Sequence, residues 1–237
     1  TFDDLFNQVK TGLSLHPEVT KTDRLNIHFA RMGEPTWNPN VLEVAEYING
    51  YYFDSHNVHP VVSTMMPARN IWLRQFLKEW VFIKNEVFDG NAGLQLSINS
   101  TNEEERQEMF AGDGCSLEEI AKTMDGLSPV GRKFTLNFAV AGYEIDPDIL
   151  LQWFSPEDYI IKLTPMHKTV SCIDNDIKTE GDYTTIEPYK EYEQMLVNAG
   201  YDVLVFVASI EEDLGRITCG NALLSGIMPE VEHTVIK

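Results

Sequence analysis

Two hydrophobic periods alternate along this chain. Short runs of apolar, β-branched and aromatic residues are typical of buried strands, whereas apolar residues three and four apart are typical of helices packed on a core. The strand-like runs cover residues 25–31, 59–64, 93–98, 133–140, 159–164 and 201–207. Helical patterns cover residues 2–15, 40–53, 68–87, 102–110, 116–124, 146–153 and 186–199.

Strands and helices therefore follow one another at intervals of roughly 30 residues, the length of one βαβ unit. Such a rhythm predicts parallel strands joined by right-handed crossovers. The sequence contains no Gly-x-Gly-x-x-Gly and no Walker motif, which argues against Rossmann and P-loop folds. We expect one α/β domain over residues 1–237 that forms a parallel (β/α) barrel or part of one. Residues 168–185 are polar and without periodicity, and we expect an exposed, mobile loop there.

The formal net charge of −19 narrows the choice of partners. Nucleic-acid binders normally present a basic face, because neutralised phosphates supply most of their non-specific affinity. No apolar run of membrane-spanning length is present, and the first residues do not have the pattern of a signal peptide. We therefore expect a cytoplasmic protein that does not bind membranes. Since the chain begins at Thr1 rather than methionine, we also expect residues upstream of it.

The cysteines also indicate a reducing, intracellular compartment. Cys115, Cys172 and Cys219 are an odd, widely spaced set, which fits a reducing compartment and not a disulfide framework. No two of them have the short spacing of a zinc or iron–sulfur site, so we predict no metal ligands within this chain.

Chemistry is expected where the strands end, because α/β folds bind their ligands at the carboxyl edge of the sheet. A carboxylate, several hydroxyls, an amide and an imidazole are predicted to meet at that edge, an inventory that suits a zwitterionic small molecule. The strand-end segments are Gly33-Glu34-Pro35, Ser63-Thr64, Ser97-Ile98-Asn99, Ala141-Gly142, Pro165-Met166-His167 and Ala208-Ser209.

Each of these residues also has a simpler structural interpretation. Glu34 could cap the helix that follows it, and Ser63 and Ser97 could satisfy backbone groups. His167, beside a proline turn, could be a structural hydrogen-bonding residue. Cysteines in the polar loops are expected to be incidental, and Trp72 and Trp80 are expected in the core.

Taken in order, the strand ends resemble a known family. The segments Met-Gly-Glu-Pro35, Val-Ser-Thr64, Leu-Gln-Leu-Ser-Ile-Asn99, Ile-Lys-Leu-Thr-Pro-Met-His167 and Ile-Thr-Cys-Gly220 resemble radical S-adenosylmethionine enzymes. Among these enzymes, the chain is most similar to the ribosomal-RNA adenine methyltransferases. The resemblance extends from about residue 2 to residue 224 and implies a partial parallel barrel.

The resemblance implies specific cofactor contacts. The turn of Gly33, Glu34 and Pro35 would hold the methionine amino group of S-adenosylmethionine. Ser63 and Ser97 would contact its carboxylate or ribose.

Three further positions follow from the same resemblance. Asn99 and His167 stand where the family usually has a histidine and an asparagine, respectively. Cys219 matches the cysteine that carries the transferred methyl group, and a thiolate can take a methyl group from a sulfonium by substitution.

Two departures from the family separate the functional hypotheses. The family binds a [4Fe-4S] cluster through a Cys-x3-Cys-x2-Cys loop, which this chain lacks, and we expect that loop upstream of Thr1. An RNA substrate fits the negative charge poorly. The leading hypothesis is a methyltransferase that uses a 5′-deoxyadenosyl radical. The alternatives are a non-catalytic acidic module that binds a nucleoside or a protein, and a metal-independent barrel lyase with Glu34 and His167 as its acid–base pair.

Overall fold

The computed structural model describes residues 1–30, 33–166, 177 and 185–207. Within these ranges the chain forms an α/β fold around one six-stranded parallel sheet. The strands lie side by side in chain order, and the sheet curls into a half-barrel. Right-handed crossovers between consecutive strands place their helices on the same face of such a sheet. The structure therefore confirms the expected architecture, an α/β fold with a partial parallel barrel.

The element bounds follow the predicted alternation closely. The strands are β1 Thr22–Phe29, β2 His56–Thr64, β3 Gly93–Ser97, β4 Phe134–Val140, β5 Tyr159–Pro165 and β6 Asp202–Val205. The α-helices are α1 Phe2–Ser14, α2 Asn40–Tyr51, α3 Leu73–Phe82, α4 Glu103–Met109, α5 Leu117–Met124, α6 Pro147–Trp153 and α7 Lys190–Asn198. Short 3₁₀ turns occupy Pro35–Trp37 and Glu187–Tyr189, and one π-helical turn, Ile83–Val87, extends α3.

The two faces of the sheet differ in chemistry. One face carries Val62, Leu96, Phe138, Ile161 and their neighbours, and it packs against the helices to form the hydrophobic core. Burial of this apolar surface is the main force that holds the helices on the sheet.

The opposite, concave face is polar. Paired positions along it include Ser63 with Gln95 and Ser97 with Asn137. Side chains alternate between the faces of a strand, so the same alternation that builds the core leaves a polar lining on the inner side.

Three further expectations concern the two tryptophans, the 168–185 loop and membrane-spanning helices. Trp80 is fully buried, as predicted, but Trp72 is wrongly predicted as core, because 66% of it is exposed just before α3 begins. The predicted 168–185 loop lies outside the described residues except for Ile177 and Thr185. In the ranges that the structure does describe, every helix is too short or too polar to cross a membrane.

Candidate functional site

The Gly33-Glu34-Pro35 turn lies at the carboxyl edge of the sheet, just after β1. Gly33 has a φ of 99°, a left-handed conformation that a side chain would strain. Among the described residues, no atom beyond its chain neighbours approaches within 4 Å of the position that a Cβ would take, so these residues leave the space beside Glu34 open.

The carboxylate of Glu34 is held from two sides. Its Oε1 accepts hydrogen bonds from the backbone N–H of Thr36 at 3.1 Å and from the Thr36 hydroxyl at 2.8 Å. Its Oε2 accepts from the backbone N–H of Met65 at 2.9 Å, just beyond the end of β2. Glu34 therefore caps the Pro35–Trp37 turn, as its simpler interpretation predicts, and also joins the ends of β1 and β2. Since two carboxylate oxygens offer about four acceptor positions, this half-buried group retains capacity for one more donor.

A buried side-chain pair supports this arrangement, and sequence reasoning did not identify it. Asn70 donates from Nδ2 to the carbonyl oxygen of Thr36 at 2.9 Å and to its hydroxyl at 3.2 Å. Both residues are at most 5% exposed. Asn70 thus fixes Thr36, which in turn orients Glu34. Thr36 and Asn70 are separated by 34 positions along the chain, which explains why no local pattern indicates this contact.

Ser63 and Ser97 lie on the concave face near the ends of β2 and β3. Both are half-buried. Met65, the backbone donor to Glu34, follows Ser63 by two residues, so the predicted carboxylate and the first predicted serine belong to the same corner of the sheet. Further polar groups line this face: Thr164 on β5 donates its hydroxyl proton to Asn137 Oδ1 on β4 at 3.2 Å. The alternation of polar and apolar residues along β4 and β5 is the sequence signal that could have indicated Asn137 and Thr164.

Asn99 has a structural role that its sequence position does not reveal. Its φ of 65° places it in the left-handed region, where asparagine is among the tolerated residues. Its Oδ1 accepts from the backbone N–H of Ala139 at 3.0 Å, and its own N–H donates to the carbonyl of Asn137 at 3.2 Å. Asn99 therefore continues the pairing of β3 with β4 beyond the last regular strand residue.

A buried arginine holds the same strand end. Arg106 is 1% exposed, and its guanidinium donates to the carbonyl oxygens of Ile98 and Cys115. The pKa of Arg106 is lowered by burial and raised by the carboxylate of Glu103, whose Oε2 lies 3.7 Å from its Nε. The helical pattern of residues 102–110 predicted α4 but gave no indication that an arginine in it would be buried.

Two predicted site residues, His167 and Cys219, lie outside the described residues, so the structure leaves their roles as predictions. The described residues contain one free thiol, Cys115, which is buried. Burial raises the pKa of this thiol to about 11, so it stays protonated and unreactive at neutral pH.

The residues described by the structure do not provide ligands for an iron–sulfur cluster. They contain no group of three or more His, Cys, Asp or Glu side chains that could hold a metal ion. For S-adenosylmethionine the fit is better, because Glu34 offers a fixed carboxylate beside open space.

Comparison with known proteins adds no family assignment. No protein-family model matches the chain, and no curated protein matches it at a significant level.

Proposed function

We propose that this chain binds S-adenosylmethionine at the carboxyl edge of the half-barrel, as the core of a radical S-adenosylmethionine enzyme of the methyltransferase branch. The observation that carries the proposal is the orientation of Glu34, whose carboxylate is fixed by Met65 and Thr36 beside the open position at Gly33. A pre-oriented carboxylate binds an ammonium group without paying the full cost of ordering its side chain.

The rest of the edge supports the same ligand. Ser63 and Ser97 would provide hydroxyl groups for the carboxylate or ribose of the cofactor, on the concave side of the strands that follow Glu34. The polar inner face suits a charged, hydroxyl-rich molecule better than an apolar one. Six parallel strands in sequential order also agree with the partial barrel that the resemblance implies.

The role proposed for the described residues is to bind and orient the cofactor. Reductive cleavage of S-adenosylmethionine requires electrons from an iron–sulfur cluster. The described residues offer no ligands for such a cluster, so reductive cleavage is not assigned to them. Methyl transfer to Cys219 remains part of the proposal for the complete enzyme.

Replacing Glu34 by glutamine tests the proposal. We expect Glu34→Gln to weaken S-adenosylmethionine binding about 10- to 100-fold, because a charge-assisted hydrogen bond contributes roughly 1.5–3 kcal/mol. Isothermal titration calorimetry on the purified chain measures the change. A second ligand, 5′-methylthioadenosine, lacks the amino and carboxyl groups and should bind equally well to wild type and variant.

Glu157→Gln is the matched control, because Glu157 is exposed and lies just before β5, at the amino edge of the sheet. It removes the same charge and should leave affinity unchanged. Equal S-adenosylmethionine affinity in wild type and Glu34→Gln, with both folded by circular dichroism, would contradict the proposal.

A non-catalytic binding module is the second candidate, because the fixed Glu34 carboxylate and the polar inner face would suffice to bind a nucleoside without a cluster. Both candidates predict binding, so the distinguishing measurement is cofactor cleavage. The test uses the chain extended at its amino end by the Cys-x3-Cys-x2-Cys loop that the resemblance implies. After anaerobic incubation with iron, sulfide and dithionite, release of 5′-deoxyadenosine by this longer protein would exclude the non-catalytic module.

A further inference from the structure

A second group of polar side chains lies at the amino ends of the first strands, on the concave face. It consists of Arg24, His59 and Arg132, and we call it the basic floor. Asn26 on β1 is paired with His59 on β2, and Arg24 Nε donates to Asn26 Oδ1 at 3.1 Å, which keeps the Arg24 side chain beside this row. None of these residues belongs to the strand-end site.

The guanidinium of Arg132 lies directly on the sheet. A Cβ placed on Gly93 would come within 2.9 Å of Arg132 Nη1, 3.0 Å of its Cζ and 3.1 Å of Val61 Cγ2. Gly93 alternates with Leu94, which is in the core, so this Cβ would point to the concave face. The glycine therefore makes room for the guanidinium at the floor of the half-barrel.

Two nitrogen atoms of the basic floor are buried without a partner. Arg132 Nη1 and His59 Nε2 are both enclosed, and neither forms a hydrogen bond with the part of the chain that the structure describes. The His59 ring does form a hydrogen bond with the backbone of Asn91. His59 as a whole is 9% exposed. Buried polar groups are normally paired, because an unmatched one costs about 1–3 kcal/mol.

No nearby carboxylate among the described residues offsets the positive charge of the basic floor. Burial lowers the pKa of His59 and of Arg132, and the charge of Arg24 lowers both further. No carboxylate in the described part of the chain acts in the opposite direction on either group. The neighbouring Lys133 is already paired, with Asp202 at 2.8 Å. In a protein of net charge −19, the exposed Arg24 and the partly buried Arg132 thus lie close enough to repel each other, and the described residues supply no ion-pair partner for either.

We propose that the basic floor binds the phosphate group of a small phosphate-bearing ligand. Two guanidinium groups balance the charge of a phosphate dianion, and the planar fork of arginine matches phosphate oxygens in a bidentate geometry. The unpaired Nη1 of Arg132 provides an N–H donor for such an anion. His59 Nε2 becomes a second donor when the charge of the bound anion favours protonation of the ring.

The floor is separate from the strand-end site. Ser63 follows His59 by four residues of the same strand, which corresponds to about 13 Å at 3.3 Å per residue. The inference therefore does not depend on binding of S-adenosylmethionine, and either proposal can fail alone.

Phosphate binding by Arg132→Met tests the inference. The probes are inorganic phosphate and adenosine 5′-monophosphate, titrated at constant ionic strength and followed by calorimetry and thermal unfolding. We expect both probes to raise the melting temperature of the wild type, and Arg132→Met to weaken their binding by at least about tenfold. Tighter binding of the nucleotide than of free phosphate would support a nucleotide ligand. Equal binding would support phosphate itself.

Two further measurements separate a binding role from a structural one. Without phosphate, Arg132→Met should melt no lower than the wild type, because it removes an uncompensated buried charge. Gly93→Ala keeps every charge but places a methyl group 2.9 Å from Arg132 Nη1, which displaces the guanidinium, and it should also weaken phosphate binding. Arg69→Met removes an exposed arginine and serves as the control.

The inference is overturned if phosphate gives no stabilisation beyond that of ionic strength. It is also overturned if Arg132→Met binds phosphate as the wild type does, or melts lower in its absence. S-adenosylmethionine affinity should be the same in Arg132→Met and wild type, and this comparison keeps the two proposals distinguishable.

Discussion

Lys84 is a charged side chain that is fully buried at the amino edge of the sheet. The residue is 0% exposed, and its ammonium donates to the carbonyl oxygens of Val130 at 2.6 Å and Gly90 at 3.2 Å. It thereby ties the π-helical turn Ile83–Val87 to the loop before β4. Burial, and secondarily the charge of Arg132, lower its pKa from 10.5 to about 8.

This shift has a defined consequence for stability. The folded-state pKa lies below the unfolded value, so between about pH 8 and pH 10 the unfolded chain binds more protons at this site. Stability from this group therefore rises with pH through that window and is constant below it. The neutral amine retains two N–H groups, enough for both carbonyls.

We accordingly expect Lys84→Met to cost about 2 kcal/mol at pH 9.5, because two buried carbonyls lose their donor. The difference from wild type should be smaller at pH 7, where the wild type carries the cost of a buried charge. Urea unfolding at pH 7 and at pH 9.5 measures this difference in the free energy of unfolding. Lys122→Met, on the exposed side of α5, should show little effect at either pH. A stability difference that does not change with pH would contradict the lowered pKa.

At the scale of elements, the start of α5 follows from a local sequence rule. Ser116 accepts a hydrogen bond from the Glu119 N–H at 3.2 Å, and Glu119 Oε2 accepts from the Ser116 N–H at 2.8 Å. This is the capping box that the Ser-Leu-Glu-Glu119 sequence predicts, because both partners are three residues apart.

Removing the cap should destabilise the protein measurably. We expect Ser116→Ala to lower the free energy of unfolding by about 1 kcal/mol, the usual cost of losing an N-cap hydroxyl. Equilibrium urea denaturation provides the value. Ser128→Ala, at a loop serine, should change it by less than about 0.5 kcal/mol. Equal effects of the two substitutions would refute the role of the cap.

The start of α3 was less predictable. The pattern indicates a helix over 68–87, whereas α3 begins at Leu73. Asn70 accepts from the Trp72 N–H at 2.9 Å and donates across the molecule to Thr36. The side chain of Asn70 thus competes with the helix for local hydrogen bonds, and the helix starts after it. Trp72 is left outside the core for the same reason.

At the scale of the whole molecule, the excess of acidic side chains opposes folding into a compact shape. The half-barrel has a polar inner face, and the chain carries 37 acidic against 18 basic side chains. Like charges spread over a compact surface repel one another, and folding brings them closer.

We expect salt to stabilise this fold. Raising sodium chloride from about 20 to about 200 mM shortens the screening length from about 20 Å to below 10 Å and should raise the melting temperature by several degrees. Differential scanning calorimetry in a phosphate-free buffer measures the effect without occupying the basic floor. A melting temperature that falls with salt would indicate that attractive ion pairs outweigh the repulsion.

The sequence alone determined the alternation of strands and helices, the parallel partial barrel and the position of the Gly33-Glu34-Pro35 turn at its carboxyl edge. These follow from local periodicity and from turn chemistry, which act over a few residues. Only the tertiary structure decided what surrounds the turn. Asn70 reaches Thr36, Met65 reaches Glu34 and Arg132 lies on Gly93 because the fold joins segments that are distant along the chain. Contacts of that kind depend on strand register and side-chain packing, and no local pattern encodes them.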